Sequence, residues 1–340
     1  MESAGLRSRS KRPPKPPSPN PDSPGRTPPK FTINLSTPPA HRYDHIVPSL
    51  LPVLTSADVT SQFNALLAFL LPNSPLTLKA VTFLLQTLLR RVHSDEETAE
   101  LRGLSRLTGL PMYLLVALNV MLDLLLGCTS GGVRCSDGKG GTKIVHFRTL
   151  DWSMDPLRNL VIELDYVTHE GGPVVATTIG YLGYVGILTG VRRGLSLSLN
   201  FRPVYSVEKD HGSAGIAVDE HFLTTCNHDL ADEEHPDRAV EAAKHTAEGM
   251  FDLVENSIER KRDVFEGWQE RLNNGWRRRK TGKKEAVEMD EVLELVSLEG
   301  ISNEMTHYAV VMDPEEGKLV WRRVYDLGEL GDPEWVEEDK

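Results

Sequence analysis

The pattern of residue types changes at Cys128, and this change constrains the fold. Before it, leucine-rich stretches such as MYLLVALNVMLDLLL (112–126) have the length and spacing of helices, and Gly127 is placed to end the last one. After it come short runs of β-branched or alternating residues, such as KIVHFRTLDW (143–152), with hairpin-like turns between them, which predict an antiparallel meander. A helical part followed by a sheet-rich part predicts an α+β fold.

The chain of 340 residues divides into three predicted segments. Residues 1–30 are basic and hold nine of the 22 prolines, which predicts a disordered arm with polyproline character. Residues 31–127 are mainly helical after a strand-like FTINL, and residues 128–335 form the sheet-rich part. Within that part, residues 255–285 carry many charges of both signs, and we expect a solvated helix followed by a basic loop.

Composition and charge argue against several classes of protein. The net charge of −11 disfavours non-specific binding to nucleic acid, which needs a basic face. Three cysteines are too few for a disulfide framework. The N-terminus lacks the apolar stretch of a secretory signal, and the apolar runs are too short to span a membrane, so we expect a soluble, cytoplasmic protein.

Cys128 allows two interpretations. It can be an ordinary buried thiol at the start of a strand, or a nucleophile that a cut in the chain exposes. Cutting the Gly127–Cys128 bond would give Cys128 an α-amino group, whose ordinary pKa of about 7.7–8.0 suits a proton acceptor. The thiol would then need no histidine to become a thiolate. Residue type and position alone leave both interpretations open.

Arg148 and Asp151 end the next predicted strand and lie three residues apart. In a regular strand they point to opposite faces, so a shared site requires a bulge or turn at the strand end. Asp151 could then hold the ammonium form of the freed amine of Cys128, and Arg148 would favour the thiolate. A surface ion pair explains the same two residues equally well.

The stretch CNHDLADEEH (226–235) offers Cys226, His228 and His235 as metal ligands. Their spacing matches no common zinc pattern, so we expect no metal and no cofactor. Cys135 and Cys226 are most simply buried small hydrophobic residues. Asn227, in the same stretch, has the chemistry of a turn residue.

Several motifs together resemble a known family. GCTS (127–130) and HFRTLDW (146–152) are similar to motifs of the acid ceramidase and N-acylethanolamine-hydrolysing acid amidase family, in which Cys-Thr-Ser opens the mature chain and Arg-Asn-(Leu/Met)-Asp follows one strand later. Further motifs resemble the family in the same order: FTINLSTPPAHRY (31–43), GLSLSLNFR (194–202) and LTTCNHD (223–229). The resemblance covers most of residues 31–325.

The resemblance implies an N-terminal-nucleophile hydrolase fold, an αββα sandwich, preceded by a helical, propeptide-like segment. It implies that Cys128 is the nucleophile and that its freed amine is the base. Arg148 and Asp151 would position the nucleophile and stabilise its charged forms. Asn227 would donate to the oxyanion, and Arg238 would be a supporting arginine.

The resemblance also implies an activity. The chain would cleave itself before Cys128, keep both fragments associated, and hydrolyse the amide bond of N-acyl lipids such as ceramides or N-acylethanolamines, with peripheral membrane contact. A bile-salt-hydrolase-like or penicillin-acylase-like amidase would keep the nucleophile and change the substrate. Known relatives are lysosomal, which contrasts with the missing secretory signal.

Two departures from the family pattern affect these expectations. The family has a considerably longer stretch where this chain has only residues 203–221, so we expect part of the sheet and of the acyl pocket to be absent, either because the fold is trimmed or because coding sequence has been lost. This loss favours an alternative, a catalytically inactive lipid-binding or scaffold homologue. In addition, Gly131 and Gly132 replace an apolar pair, and we expect them to weaken the first strand after Cys128.

Overall fold

A computed structural model of the chain describes residues 26–56, 58, 60–63, 75–121, 127–201, 219, 221–228, 250–274 and 286–330. Several predictions fall outside these ranges, including most of the proline-rich arm, the end of the helix predicted before Gly127, the short segment after Phe201, and the basic loop. The last residues of the predicted arm are described and belong to the fold, since Arg26 pairs with Val324 and the first strand starts at Lys30.

The described strands form two five-stranded sheets. In chain order they are β1 (Lys30–Asn34), β2 (Gly127–Ser136), β3 (Thr142–Asp151), β4 (Val161–Val167), β5 (Val174–Tyr181), β6 (Thr189–Arg192), β7 (Leu195–Ser198), β8 (Phe222–Thr225), β9 (Thr306–Asp313) and β10 (Lys318–Val324). The first sheet has the order β10-β9-β3-β2-β8 and is antiparallel; the second has the order β1-β4-β5-β6-β7, with β1 parallel to β4. The predicted meander is therefore divided between two sheets.

The helices lie before β2 and between β8 and β9. They are α1 (Val47–Ser56), α2 (Pro75–Leu88), α3 (Asp95–Thr108), α4 (Met112–Met121), α5 (Met250–Asn274) and α6 (Met289–Val296), with short 3-10 helices at Pro39–His41 and Asp155–Leu160. Helix α3 begins with a capping box, in which Ser94 Oγ accepts from Glu97 N at 3.1 Å and Glu97 Oε2 accepts from Ser94 N at 3.1 Å. No helix in the described ranges is both long and apolar enough to cross a bilayer.

The two sheets pack face to face, with helices on both outer sides. Between the sheets, the hydroxyl groups of Thr189 and Tyr308 form a hydrogen bond of 2.9 Å. On the outer side of the first sheet, Phe147 and Val311 share a core with helices α5 and α6. Helices α1, α3 and α4 share the larger core with the second sheet. The predicted α+β fold is confirmed, with layers in the order helix, sheet, sheet and helix.

Helix α5 differs from the solvated helix expected for residues 255–285. Four side chains on one face are buried, at spacings of three or four residues: Val254, Ser257, Arg260 and Val264. Such spacing places them on one stripe of a helix, which here packs on the first sheet. The prediction was wrong for this stripe because the charged residues of the other faces dominate the composition.

The start of β2 also differs from the prediction. Gly127 is already a strand residue opposite Asp151, so the strand begins one residue before Cys128. A Cβ atom on Gly131 would lie 2.3 Å from the carbonyl oxygen of Leu223 in β8 and 2.6 Å from the ring of Phe147. A glycine at this position is therefore what allows β8 to pair closely with β2, rather than a weak point in the strand.

Candidate active site

The thiol of Cys128 lies between the two sheets. Cys128 is the second residue of β2 and is fully buried, with an exposure of 0%. Its Sγ is 3.2 Å from Arg148 Nη2 and 3.9 Å from the carbonyl oxygen of Leu199. In this uncut chain, the sulfur contacts a cation on one side and a backbone acceptor on the other.

Arg148 reaches the thiol because of the strand register. Cys128 pairs with Leu150, and Arg148 is two residues before Leu150 on the same face of β3. The guanidinium is buried and its Nη1 donates to Asn200 Oδ1 at 2.7 Å. Burial lowers the pKa of Arg148, but the combined upward effect of Cys128 and Tyr308 is larger than the effect of burial. The net shift of the pKa is therefore upward, and the guanidinium stays charged. A fixed cation at this distance stabilises negative charge on the sulfur.

Asn200 completes this contact and was not predicted as a site residue. Its Oδ1 also accepts from Ser130 Oγ at 3.1 Å, and its Nδ2 donates to the carbonyl oxygen of Thr225 at 3.1 Å. It therefore ties Arg148 to β2 and β8. The signal was available in the sequence, because Asn200 stands in the stretch GLSLSLNFR that resembles the family.

Asp151 lies beside the residue that precedes the thiol. It pairs with Gly127, and a Cβ atom built on Gly127 would lie 3.3 Å from Asp151 Oδ2. Thr306 Oγ1 donates to Asp151 Oδ1 at 2.6 Å. Burial raises the pKa of Asp151, and the charge of Arg260 with the bond from Thr306 offsets only part of the shift. The β3–β9 register shifts between Leu150 and Asp151, but the extra residue lies on β9, and β3 pairs regularly with β2 as far as Asp151. The bulge that a shared face would require is therefore not found in β3, and Arg148 and Asp151 lie on opposite faces of the strand.

Arg148 and Asp151 act on the Gly127–Cys128 junction from two sides. Arg148 contacts the sulfur on the side of the second sheet, and Asp151 adjoins Gly127 where it also meets helix α5. The alternative of a surface ion pair is wrong, because the two residues are 0% and 4% exposed. Burial of two charged groups at one peptide bond is typical of a functional site.

Asn227 presents its carbonyl end to this junction. It lies just after β8 and is fully buried. Its Oδ1 accepts from Cys128 N at 2.7 Å and from Arg260 Nη2 at 2.8 Å, and its Nδ2 donates to the carbonyl oxygen of Phe201 at 2.7 Å. Its backbone N–H donates to Ser257 Oγ at 2.6 Å. Besides lying in a bend of the chain, Asn227 thus places its side chain on the backbone of Cys128.

A second arginine at this site, among the described residues, is Arg260. Its Nη1 donates to Thr129 Oγ1 at 2.8 Å and lies 3.6 Å from Asp151 Oδ2, while its Nη2 donates to Asn227. Sequence analysis did not identify Arg260, because it stands in a highly charged run. Arg238, the predicted supporting arginine, lies outside the described residues.

Two members of the alternative metal cluster have other contacts. Cys226 Sγ lies 3.7 Å from Thr129 Oγ1, and His228 Nδ1 lies 2.8 Å from Ser257 Oγ. His235 is outside the described residues. Within the described ranges, no three His, Cys, Asp or Glu side chains are grouped as metal ligands. Burial raises the pKa of Cys226 and raises that of Cys135 to about 11. Both behave as buried small hydrophobic residues, as predicted.

Comparison with known proteins identifies similar sequences. A family model described as the beta subunit of N-acylethanolamine-hydrolyzing acid amidase matches residues 26–93. The N-acylethanolamine-hydrolyzing acid amidase of Caenorhabditis elegans is 29% identical over 189 residues, covering 52% of this chain and 49% of that protein. The acid ceramidases of Rattus norvegicus and Homo sapiens are 31% and 30% identical over 189 residues, covering 51% of this chain and 45% of each protein.

The extent of these matches is limited. The chain spans about half the length of the curated relatives it matches. A solved structure of the Caenorhabditis elegans N-acylethanolamine-hydrolyzing acid amidase ortholog covers 58% of this chain at 16% identity, with a TM-score of 0.37 and 100% of that chain covered. At that TM-score the match carries no argument about the fold, which rests on the two sheets and their helices.

Proposed function

We propose that this chain, which belongs to the acid ceramidase and N-acylethanolamine-hydrolysing acid amidase family, hydrolyses the amide bond of N-acyl lipids after cleaving itself before Cys128. One observation carries the proposal: Cys128 is buried, and the buried side chains of Arg148, Asp151 and Asn227 surround its junction with Gly127. A structural cysteine needs none of these three polar groups. A cysteine that becomes an N-terminal nucleophile needs groups that hold both its thiol and its nitrogen.

Self-cleavage would begin with attack of the Cys128 sulfur on the carbonyl carbon of Gly127. The carbon–nitrogen bond then breaks, a thioester links Gly127 to the sulfur, and the proton of the thiol passes to the released amine. Water hydrolyses the thioester, which leaves a carboxylate on Gly127 and a free thiol on Cys128. The burial of the thiol in the uncut chain agrees with a site that opens only after this step.

Lipid hydrolysis would use the same sulfur. The freed amine takes the thiol proton, and Arg148 stabilises the thiolate that attacks the carbonyl carbon of the fatty amide. The amide carbon–nitrogen bond then breaks, and the ammonium of Cys128 protonates the leaving amine. Water hydrolyses the acyl thioester, which releases the fatty acid and restores the thiol. Asp151, opposite Gly127, would hold the ammonium form.

Asn227 would serve this reaction at both ends of its amide. Its Oδ1 already accepts from the nitrogen of Cys128, which is the atom that becomes the base. Its Nδ2 would donate to the oxyanion, in exchange for or in addition to its bond with the carbonyl of Phe201. A neutral amide suits this role because it donates without titrating, and loss of one such donor typically costs about 10²–10³ in rate.

Contact with a lipid surface would involve helix α2. This helix exposes large apolar side chains, with Phe83 70%, Leu84 52% and Leu88 66% exposed. Exposed apolar residues that are adjacent on one helix are typical of membrane or partner contacts. Sedimentation with phosphatidylserine vesicles tests this contact: the Phe83→Ser, Leu88→Ser double variant should lose binding, and Leu327→Ser, which alters another exposed leucine, should retain it.

The alternative is an inactive lipid-binding homologue. It is favoured by the short stretch of residues 203–221, which is considerably longer in the family pattern. An inactive homologue should remain a single chain and should bind N-acyl lipids without turning them over.

Intact mass spectrometry decides between the two functions. We would incubate wild type, Cys128→Ala and Cys135→Ala at pH 4.5 and 7.5, because Cys135 is another buried cysteine that lies in the other core. The proposal expects a fragment that begins at Cys128 in wild type and Cys135→Ala only. Release of fatty acid from N-palmitoylethanolamine and from ceramide then identifies the head group. An uncut wild-type chain without amidase activity would support the inactive homologue.

A further inference from the structure

We propose that Arg260 of helix α5 is a positioning residue for the Cys128 site, which fixes the orientation of the Asn227 side chain and holds Asp151 at the Gly127–Cys128 junction. This inference rests on the proposed amidase function and assigns a role to a residue that the motifs did not identify. Arg260 contacts neither the sulfur nor the Gly127–Cys128 bond itself, so it would act through Asn227 and Asp151.

The guanidinium of Arg260 is buried and forms a complete set of contacts. The residue is 3% exposed, and the helix that carries it, α5, packs on the outer face of the first sheet. Its Nε donates to Asn256 Oδ1 at 2.8 Å, and Nη1 and Nη2 each donate at 2.8 Å, to Thr129 Oγ1 and Asn227 Oδ1. A planar fork with bonds in three directions holds its partners more rigidly than a lysine could.

These contacts determine which end of the Asn227 amide faces Cys128. The oxygen and nitrogen of an asparagine side chain have nearly the same shape, so the hydrogen-bond partners determine the orientation. Arg260 Nη2 and Cys128 N are both donors, and both lie 2.7–2.8 Å from the same Asn227 atom. A guanidinium has no acceptor, so this atom must be the carbonyl oxygen. If the amide were reversed, the NH₂ group of Asn227 would face Cys128 N and Arg260 Nη2, and all three groups are donors.

The same orientation directs the amide nitrogen of Asn227 to the other side. Nδ2 points to the carbonyl oxygen of Phe201, away from Arg260 and toward the segment that contains Leu199. Since the Leu199 carbonyl also adjoins the Cys128 sulfur, the donor end of Asn227 is directed to the side of the site where an acyl carbonyl would meet the thiol. Loss of Arg260 would remove one of the donors that hold the amide in this orientation, in addition to the bonds with Cys128 N and with the Phe201 carbonyl.

Arg260 also supplies positive charge to Asp151. Its Nη1 lies 3.6 Å from Asp151 Oδ2, in a region where both residues are buried. Its charge lowers the pKa of Asp151 against the upward effect of burial. Among other nearby groups, Arg148 of β3 lowers the pKa of Asp151 and Glu304 before β9 raises it. The charge of Asp151 in turn raises the pKa of Cys226 after β8 and of Tyr325 after β10. Of the two arginines, Arg260 has the larger effect on this pKa, so its loss should leave Asp151 protonated at a higher pH.

The test compares Arg260→Met and Arg260→Lys with the matched control Arg262→Met. Arg262 lies on the same helix but is exposed, with an ion pair of 3.8 Å to Glu259. For each variant we would measure the rate of cleavage before Cys128, and kcat and KM for N-palmitoylethanolamine from pH 4 to 8. Circular dichroism and the melting temperature show whether each variant is folded.

The inference makes distinct expectations for each variant. Arg260→Met should lower kcat about 100-fold with KM within threefold of wild type, since a lost positioning donor has the scale of a lost oxyanion contact. The acidic limb of the pH profile of kcat for this variant should shift to higher pH. Arg260→Lys should keep the wild-type acidic limb, because the charge remains, but lose about tenfold in kcat. Arg262→Met should match wild type.

The outcomes separate this inference from the proposed function. If wild type is active and Arg260→Met stays within threefold of Arg262→Met, the inference is overturned and the amidase function stands. Equal acidic limbs for Arg260→Met and Arg260→Lys overturn the role toward Asp151. If Arg260→Met does not fold, an unchanged kcat in Arg260→Lys overturns the positioning role. If wild type neither cuts itself nor releases fatty acid, the function fails and the inference with it.

Discussion

The backbone nitrogen of Cys128 lies 2.7 Å from the side-chain oxygen of Asn227, a residue 99 positions later in the chain. The β2–β8 ladder creates this contact, because Ser130 pairs with Thr225 and the two strands continue antiparallel toward Cys128 and Asn227. One side chain therefore holds the nitrogen that cleavage would convert into an amine. Its acceptor end and its donor end can be tested separately.

Asn227→Asp should separate the two roles of this residue. Aspartate keeps the oxygen that accepts from Cys128 N and Arg260 but replaces the Nδ2 donor with a second acceptor. We expect self-cleavage to continue and kcat for N-palmitoylethanolamine to fall by about 10²–10³, the usual cost of one oxyanion donor. Asn227→Leu, which removes both ends, should stop self-cleavage as well. Full amidase activity in Asn227→Asp would contradict the oxyanion role.

Asn200→Ala should weaken the hold on Arg148. Arg148 Nη1 would lose its 2.7 Å acceptor inside the site, and hydrogen bonds to charged groups contribute about 1.5–3 kcal/mol. We expect kcat to fall at least tenfold and the free energy of unfolding to fall by about 2 kcal/mol. Asn159→Ala, at an exposed asparagine, is the control and should change neither. Urea unfolding on a Cys128→Ala background, which prevents self-cleavage, measures the change in stability. Steady-state kinetics of the variants that keep Cys128 measure the change in kcat, and equal kinetics in both variants would exclude a role for Asn200.

Sequence patterns predicted the local part of this site and missed its long-range part. The first strand at FTINL and the strand that carries Arg148 follow from residue type and alternation within a few residues. The division of the meander into two sheets did not follow, since Asp155-Pro156 in the short 3-10 helix after β3 indicates a turn but not the sheet in which the chain continues. Local patterns specify an element, but they do not specify which sheet it joins.

Arg260 could not be predicted because its partners are distant and its surroundings are charged. Its bonds reach Thr129, 131 residues away, and Asn227, 33 residues away. In the sequence it is one of many charged residues in the run 255–285, and most of the charged residues that the structure describes in this run are exposed on helix α5. The signal that distinguishes the buried stripe is the spacing of Val254, Ser257 and Val264, which are small or apolar residues between charges.

Gly131 and Gly132 should respond oppositely to alanine. A Cβ atom on Gly131 would meet a backbone oxygen at 2.3 Å and an aromatic ring at 2.6 Å, so the β2–β8 pairing must shift. Gly131→Ala should lower the free energy of unfolding by about 3 kcal/mol, at the upper end for overpacking. On Gly132 the nearest atom is 3.6 Å away, which is ordinary contact, and alanine should be neutral or stabilising by about 0.5 kcal/mol.

Urea unfolding of both glycine variants on a Cys128→Ala background, which prevents self-cleavage, measures these changes. The background is needed because a cut chain would no longer unfold as one unit. A Gly131→Ala variant as stable as Gly132→Ala would mean that β8 does not approach β2 as closely as described.

His146 should make the fold sensitive to acid. It lies on β3 beside Arg148, and its ring nitrogens contact Ser196 Oγ at 3.0 Å and Ser198 Oγ at 3.1 Å on β7 of the other sheet. Burial, with a contribution from Arg148, lowers the pKa of His146 from 6.5 to about 4. The unfolded chain therefore binds this proton below about pH 6.5, whereas the folded chain binds it only near pH 4.

The sign of the effect follows from this difference. The contribution of neutral His146 to stability is complete above pH 6.5 and is lost as the pH falls toward 4, by at most about 3 kcal/mol. On the Cys128→Ala background, His146→Gln should reduce the loss of unfolding free energy between pH 7 and 4.5 by about 2 kcal/mol. His169→Gln, at an exposed histidine, should keep the wild-type slope. Urea unfolding at pH 7.0, 5.5 and 4.5 tests this, and equal slopes in the two variants would show that His146 is protonated in the folded chain at the same pH as in the unfolded one.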